Sequence, residues 1–207
     1  MSTAKYDPQA EGWTETAYAD AEAYLAHRAE LVVSLGPRLA PGDLVLDLAC
    51  GDGGLGEHLL GHGVEYRGVD ASEPMVEAAR RRLGDRVDGG DLNTYEPAGP
   101  VAATTVFRAI YYAEDREAFF RRVAGFTTTK LVFDLNPRQF PLETVRAELR
   151  RAGWDGVELR PFLFPQQHSP PQVLRPLLVA VERTPLARLA LRLRFTYLVA
   201  AFRGSNR

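Results

Sequence analysis

Apolar residues follow two rhythms along this chain, and their alternation predicts the fold. Leu44–Leu48, Tyr66–Asp70, Pro100–Ile110 and Lys130–Leu135 are short, largely apolar runs that read as buried strands. Between them apolar positions recur every three or four residues, as on a helix with one buried face. The longest such stretch is Thr14–Leu39, where Tyr18, Ala21, Leu25, Arg28, Leu31 and Leu35 fall near one face and Gly36-Pro37 interrupts the pattern near its end. Helices are also predicted over Leu55–Gly61, from Ser72 to about Leu83, over Arg116–Phe126 and over Pro141–Ala152. Ser72 before Glu73-Pro74 is a start signal, a capping hydroxyl followed by an early proline. Val157–Phe164 alternates as a sixth strand and Phe195–Phe202 forms a seventh; a weakly marked third lies near Val87. Strands alternating with helices imply a mostly parallel sheet covered on both faces.

The glycines sharpen this picture at one place. Leu44–Leu48 is apolar except for Asp47, and Gly51, Gly53, Gly54 and Gly56 follow before the Leu55–Leu60 helical run. A strand, a glycine-rich turn and a helix start make a nucleotide site, because glycine lets the backbone approach a ligand and the helix start offers free N–H groups. Gly51-x-Gly53-x-x-Gly56 fits the dinucleotide pattern. Asp47 inside the strand bears on the choice of ligand: an anionic pyrophosphate gains nothing from a carboxylate there, whereas a ligand with a cationic amine and sulfonium does.

On these residues the sequence resembles the class I S-adenosylmethionine (SAM)-dependent methyltransferases. Asp47, Ala49, Gly51 and Gly53 match their first motif, D/E-x-G/A-x-G-x-G, with Ala49 in place of the commoner glycine. The resemblance, spanning about residues 14–203, implies a Rossmann-like seven-stranded sheet, mostly parallel, with the last strand antiparallel. It also implies a set of cofactor residues. Asp70, nineteen residues after Gly51 at the end of the second strand, would accept the ribose hydroxyls, with Ala71 beside it. Met75 would pack on the adenine. Asp91, with Leu92 next to it, would accept the adenine amino group. The N-terminal helix would fold over the cofactor, which makes Trp13, Tyr18 and Arg28 candidates for closing the site and Arg28 a partner for the cofactor carboxylate. Tyr111-Tyr112 stand where small-molecule members carry paired histidines, so they and Arg108, itself a candidate for cofactor contact, should lie near the transferring methyl, with the tyrosines orienting the acceptor, taking its proton or lining an aromatic slot. One of the two tyrosines packing into the core is an equally open reading.

Composition narrows the function further. The 207 residues suit a single domain over 1–207, with a cap helix at 14–40 and an insert at 165–194. Net charge is −2, which argues against a general nucleic-acid binder. Charge is uneven, with twelve arginines against five acids from Arg138 onward. Arg138 itself is a candidate for an anionic substrate. Cys50 is the single cysteine, and the four histidines show no metal-ligand spacing beyond His58 and His62 at i, i+4, which a solvated helix end explains better than a metal does. No metal is expected. Without an 18-residue apolar run or a signal peptide, a cytoplasmic protein is expected.

The last two strands are separated by about 30 residues, far more than a hairpin needs. Leu177, Leu178 and Val181 form one apolar patch of this insert, and Leu186, Leu189, Ala190 and Leu193 another; Arg183, Arg188, Arg192 and Arg194 supply charge. It reads as a lid over an apolar or anionic substrate, a dimer contact, an amphipathic segment at 172–194 resting on anionic lipid, or a helical pair packed on the sheet. Oligomeric state is left open. The sequence therefore points to a SAM-dependent methyltransferase with a small-molecule acceptor. The alternatives are an NAD-dependent oxidoreductase, for which no hydride-site acid or Tyr-x-x-x-Lys pair is evident, and a SAM-binding partner protein without catalysis.

Overall fold

The computed structural model describes Ala10, residues 12–184, Ala187 and residues 196–203. Seven strands form one sheet. In chain order they are β1 (Leu44–Leu48), β2 (Glu65–Asp70), β3 (Val87–Gly89), β4 (Val101–Val106), β5 (Thr127–Leu135), β6 (Gly156–Phe162) and β7 (Thr196–Phe202). Their order across the sheet is β3-β2-β1-β4-β5-β7-β6. β1 to β5 pair in parallel, and β7 runs antiparallel between β5 and β6. The chain leaves β1 on one side toward β2 and β3, then returns to start β4 on the other side. That reversal opens a crevice beyond the carboxyl ends of β1 and β4.

Alternation along each strand divides the core. Val45 faces a cluster built with α2 (Ala21–Ser34), α3 (Gly54–Gly61) and α4 (Glu73–Leu83). Leu46 and Leu48 face the opposite cluster, built with α5 (Arg116–Phe126) and α6 (Leu142–Arg151). Within the second cluster Trp154 is fully buried and its indole N–H donates to the Phe120 carbonyl at 3.1 Å. On the first face Lys130 of β5 is fully buried, and its ammonium donates to the carbonyls of Val33 and Leu35 at 3.1 and 2.7 Å. A cation there satisfies carbonyls that the end of α2 leaves open and fastens the helix to the sheet. Burial lowers the Lys130 pKa to about 8.

Three features differ from the sequence expectations. The N-terminal helical stretch is two helices, α1 (Trp13–Ala17) and α2, because Tyr18 is extended and the Asp20 carboxylate caps α2 by accepting from Ala23 N–H at 3.1 Å. β4 stops at Val106, well short of Ile110, since Arg108 takes a left-handed φ of 54° and Ile110–Tyr112 form a 3₁₀ turn. The patch in the insert divides as well: on α7 (Arg175–Glu182) Leu177 is exposed whereas Leu178 and Val181 are half-buried. Leu186, Arg188, Leu189, Ala190, Arg192, Leu193 and Arg194 lie outside the described residues.

The insert anchors at both of its described ends. Glu182 of α7 is buried; one oxygen accepts Leu163 N–H at 2.6 Å and the other meets His27 Nε2 at 2.6 Å. The segment between β6 and α7 is tied to the α1–α2 junction. Ala19 N–H donates to Gln166 O at 2.9 Å, Gln166 Nε2 donates to Ala17 O at 3.1 Å, and Arg175 pairs with Asp20. No helix among the described residues is long and apolar enough to cross a membrane.

Candidate active site

A cavity of about 470 Å³ occupies the crevice at the ends of β1 to β4. Four short segments line it, 47–55 after β1, 70–72 after β2, 90–93 after β3 and 107–112 after β4, and α1 and α2 close it from above. All the residues that the sequence proposes for cofactor contact, except Gly53, line this cavity.

Asp47 lies at its base, on the same strand face as Val45. It is buried and accepts hydrogen bonds from Thr105 Oγ1 at 2.7 Å and Tyr66 Oη at 3.1 Å. Burial outweighs those bonds and raises its pKa to about 6. The turn above it winds through left-handed backbone at Ala49 (φ 61°), Gly51 (φ 59°) and Gly53 (φ 80°). Gly53 leads into α3 from beneath the ligand side, where a Cβ would come within 2.7 Å of Leu83 on α4. Gly51 N–H donates to Asp70 Oδ2 and Ser72 N–H to Asp70 Oδ1, both at 2.9 Å. Asp70 thus ties the two turns together, and each oxygen keeps a further lone pair for a ligand hydroxyl. Desolvation raises the Asp70 pKa despite these bonds. Asp91 is exposed at the cavity edge and its Oδ1 accepts from Asn93 N at 2.7 Å and Asn93 Nδ2 at 2.9 Å. Met75 and Leu92 are buried within the lining.

Several lining residues, Thr14, Asp52 and Asn93 among them, were not picked out from the sequence. Asp52 accepts from the Thr14 backbone at 2.9 Å and the Thr14 hydroxyl at 2.5 Å, latching α1 over the glycine turn. A Cβ on Gly54 would lie 2.3 Å from that hydroxyl, so this glycine is what lets the cap descend. Asn93 accepts Glu114 N–H at 3.0 Å and donates to Tyr112 O at 3.2 Å, joining the turns after β3 and β4. Asp52 is visible as an acid inside the glycine run; its partner, 38 residues earlier, has no local signal.

The cap residues meet over the cavity. Trp13 stands 3.3 Å from where a Gly51 Cβ would be, and the Arg108 guanidinium lies 5.1 Å from the Trp13 ring centre and 5.7 Å from that of Tyr18. Arg28 is only 2 % exposed and sits among Tyr24, Phe107 and Phe162. It donates to Tyr24 Oη at 2.8 Å and Tyr18 Oη at 3.4 Å and lies 3.8 Å from Asp134 Oδ2.

A second cavity, about 460 Å³, abuts the first and shares Arg108 and Tyr111 with it. Its walls come from the ends of β5 and β6, the α2 residue Tyr24 and the start of the insert. The paired tyrosines therefore divide. Tyr111, 43 % exposed, borders both cavities, while Tyr112 lines the first and packs on the α5–α6 core. Arg138 is exposed and lines neither, which corrects its reading as a substrate contact. His58 and His62 approach Glu22 at 3.8 Å and Glu30 at 4.0 Å.

A parallel sheet with a glycine turn and a crevice at its topological switch point, walled by acids at successive strand ends, defines a doubly wound domain for a ribose-bearing ligand. Residues 45–129 match the model of the methyltransferase domain family. An uncharacterized methyltransferase of Geobacillus sp. (strain WCH70) is 35% identical over 79 residues, 37% of this chain and 37% of that protein. The chain thus matches little more than a third of that relative. A Haloferax volcanii protein solved in complex with the Trm112 methyltransferase activator superposes with a TM-score of 0.70 at 20% identity, over 98% of this chain and 97% of that one. Phosphoethanolamine N-methyltransferase 2 of Haemonchus contortus, solved with SAM, gives 0.62 at 17% identity over 86% of this chain and 53% of that one. The matched stretch and the shared fold support a class I SAM-dependent methyltransferase. Of the two ligands open to the glycine turn, the match to the methyltransferase domain supports SAM as cofactor. The cavity fits it: Gly51 leaves a cradle under Trp13 that a side chain would fill, and Arg28 Nε is buried with no hydrogen-bond partner among the described residues.

Proposed function

We propose that the protein transfers the methyl group of SAM to a small-molecule acceptor. The carrying observation is the pair of adjoining cavities, a cofactor-sized one ringed by strand-end acids and a second that meets it only through Arg108 and Tyr111. In this reading Asp70 accepts the ribose hydroxyls, Asp91 and the Leu92 backbone receive the adenine edge, and Met75 packs on its face. Ala49, Gly51 and Gly53 shape the turn around the methionine part, Asp47 supports it from below, Ala71 flanks the ribose, and Arg28 with Tyr18 closes over the carboxylate. Bound SAM supplies an electrophilic methyl carbon, which an acceptor lone pair takes as the carbon–sulfur electron pair returns to sulfur. The chain's own residues hold the two reactants in line and exclude water, an entropic contribution that needs no covalent chemistry from the protein. Tyr111 and Tyr112 border the place where the cavities meet and act as positioning groups for the acceptor.

Calorimetric titration with SAM, followed by incubation with methyl-labelled SAM and a small-molecule cell extract, tests the reading. Saturable binding and a labelled product that disappears in Asp70→Ala support it; absence of SAM binding sinks it. Binding without turnover would favour a chain that works with an activator protein, as the Haloferax relative is found in such a complex.

A further inference from the structure

The second cavity carries a statement about its occupant. Three phenylalanine rings, Phe140, Phe162 and Phe164, give it flat apolar faces beside the polar side chains of Asn136, Gln139, Gln167 and Thr196. One carboxylate lines it, Asp134 near the end of β5, and both of its oxygens are engaged. Oδ1 accepts the Arg108 backbone N–H at 2.7 Å, and Oδ2 faces the Arg28 guanidinium at 3.8 Å. Asp134 therefore neutralises charge already in the protein and offers little to a cationic ligand. The opposite holds for Arg108. Its guanidinium stands at the junction of the cavities, and its buried Nη1 has no hydrogen-bond partner among the described residues. An unsatisfied donor on a buried charge is costly, and an ionised oxygen relieves that cost with a short, charge-assisted bond. The neighbouring Arg28 lines only the first cavity; it is shared among two tyrosine hydroxyls and Asp134, and its own unpartnered Nε belongs to that side. The two arginines thus divide the work, Arg28 toward the cofactor side and Arg108 toward the junction.

Arg108 also holds a left-handed φ of 54°, uncommon for a residue other than glycine and of a kind that concentrates at functional sites. The bend turns its backbone N–H into β5 and its guanidinium toward the cap. A straight continuation of β4 would not give both.

We propose that the acceptor is a flat, apolar molecule bearing an oxyanion such as a carboxylate, which Arg108 binds where the two cavities meet, and that amines are excluded there. This rests on the methyltransferase reading and moves Arg108 from the cofactor set to acceptor specificity. A cationic acceptor of the same shape would meet the Arg108 guanidinium and a carboxylate that is already taken.

The test uses the full chain saturated with S-adenosylhomocysteine and two probes matched in shape and opposite in charge, 2-naphthoate and 2-naphthylmethylamine. Calorimetry is expected to show the carboxylate binding at least about tenfold more tightly than the amine. Arg108→Gln should erase that preference and leave S-adenosylhomocysteine affinity within about threefold, and Arg108→Lys should restore part of it, since the charge remains without the planar fork. Thermal melts of both variants establish that they fold. Equal affinity, a preference for the amine, or no binding of the carboxylate overturns the inference alone. So does an Arg108→Gln variant that loses S-adenosylhomocysteine binding while keeping the carboxylate preference. A wild-type chain that fails to bind S-adenosylhomocysteine overturns the methyltransferase reading, and this inference falls with it.

Discussion

The two cavities are built in different ways. The first is assembled mostly from the ends of β1 to β4 and the turns that follow them, roofed by α1 and α2, and most of it lies inside the stretch that matches the methyltransferase domain family. The second draws on Tyr24, Asp134 to Phe140, Phe162 to His168 and Thr196, all outside that stretch. A cofactor that never changes can be served by a fixed spacing of acids and glycines. In the proposed reading the acceptor site is composed by long-range packing of the Tyr24 side of α2, the end of β5 and the insert. The difference predicts that mutations on the two sides separate cleanly, cofactor affinity failing on one and acceptor handling on the other.

The largest expected effect is on the cofactor side. Asp70→Ala removes an acceptor for two hydroxyls and the tie to Gly51 and Ser72. With about 1.5–3 kcal/mol for each hydrogen bond to a charged group, SAM affinity should drop at least about a hundredfold. Titration calorimetry measures it, and a loss under about fivefold would remove Asp70 from the site. Next comes pH. The Asp47 pKa of about 6 in the folded chain lies above the ordinary carboxylate value of about 3.9, so the folded state holds this proton more tightly than the unfolded one. Below about pH 4 both states are protonated and the group exacts no penalty. As pH rises from about 4 to about 6 the unfolded chain ionises first and stability falls, by up to about 3 kcal/mol, then levels off. Denaturant melts of wild type and Asp47→Asn across that window should converge at the acid end and diverge in favour of Asn toward pH 6.5; parallel curves would contradict the assignment.

The same contrast explains what could be read from the sequence. β1 is found to the residue, because a five-residue apolar run between a turn and glycines admits no other register. Asp47, Asp70 and Asp91 were legible because each sits at a fixed step from a strand end. Asp134 carries the same signal as Asp47, a lone acid in the apolar run K-L-V-F-D-L, and that rule would have found it. The break between α1 and α2 was masked by a helical period that continues across Tyr18, although Asp20 is a good capping residue. Pairs such as Thr14 with Asp52, or Glu182 with His27 and Leu163, join residues far apart in the chain and leave no trace in local spacing. The first pair closes the cap over the first cavity and the others fix a wall of the second, so both closures emerge only in three dimensions.

Breaking one such pair tests the division from the acceptor side. Glu182→Ala leaves the buried Leu163 N–H without an acceptor and frees His27, at a cost of about 2 kcal/mol. Because Glu182 anchors α7 beside Phe162 and Phe164, the wall of the second cavity should loosen. The Michaelis constant for the acceptor should rise several-fold while SAM affinity stays within about twofold; equal losses on both sides would show that the two cavities are not independent.

The smallest effect lies back on the cofactor side, at the one place where this chain departs from the first motif. Ala49 adopts a φ of 61°, the left-handed region in which a Cβ crowds the following carbonyl. That conformation costs an alanine about 1–2 kcal/mol, and glycine adopts it freely. Against this, glycine gives the unfolded chain more conformations to lose, worth about 0.4–1 kcal/mol. Ala49→Gly should therefore raise stability by up to about 1 kcal/mol, read from chemical denaturation. Acceptor preference should not change, since Ala49 lines the first cavity and not the second. A destabilised variant would mean that the methyl group of Ala49 contributes packing that outweighs its backbone strain. A changed preference between carboxylate and amine probes would mean that the glycine turn reaches across the junction at Arg108, and the separation of the two halves would no longer hold.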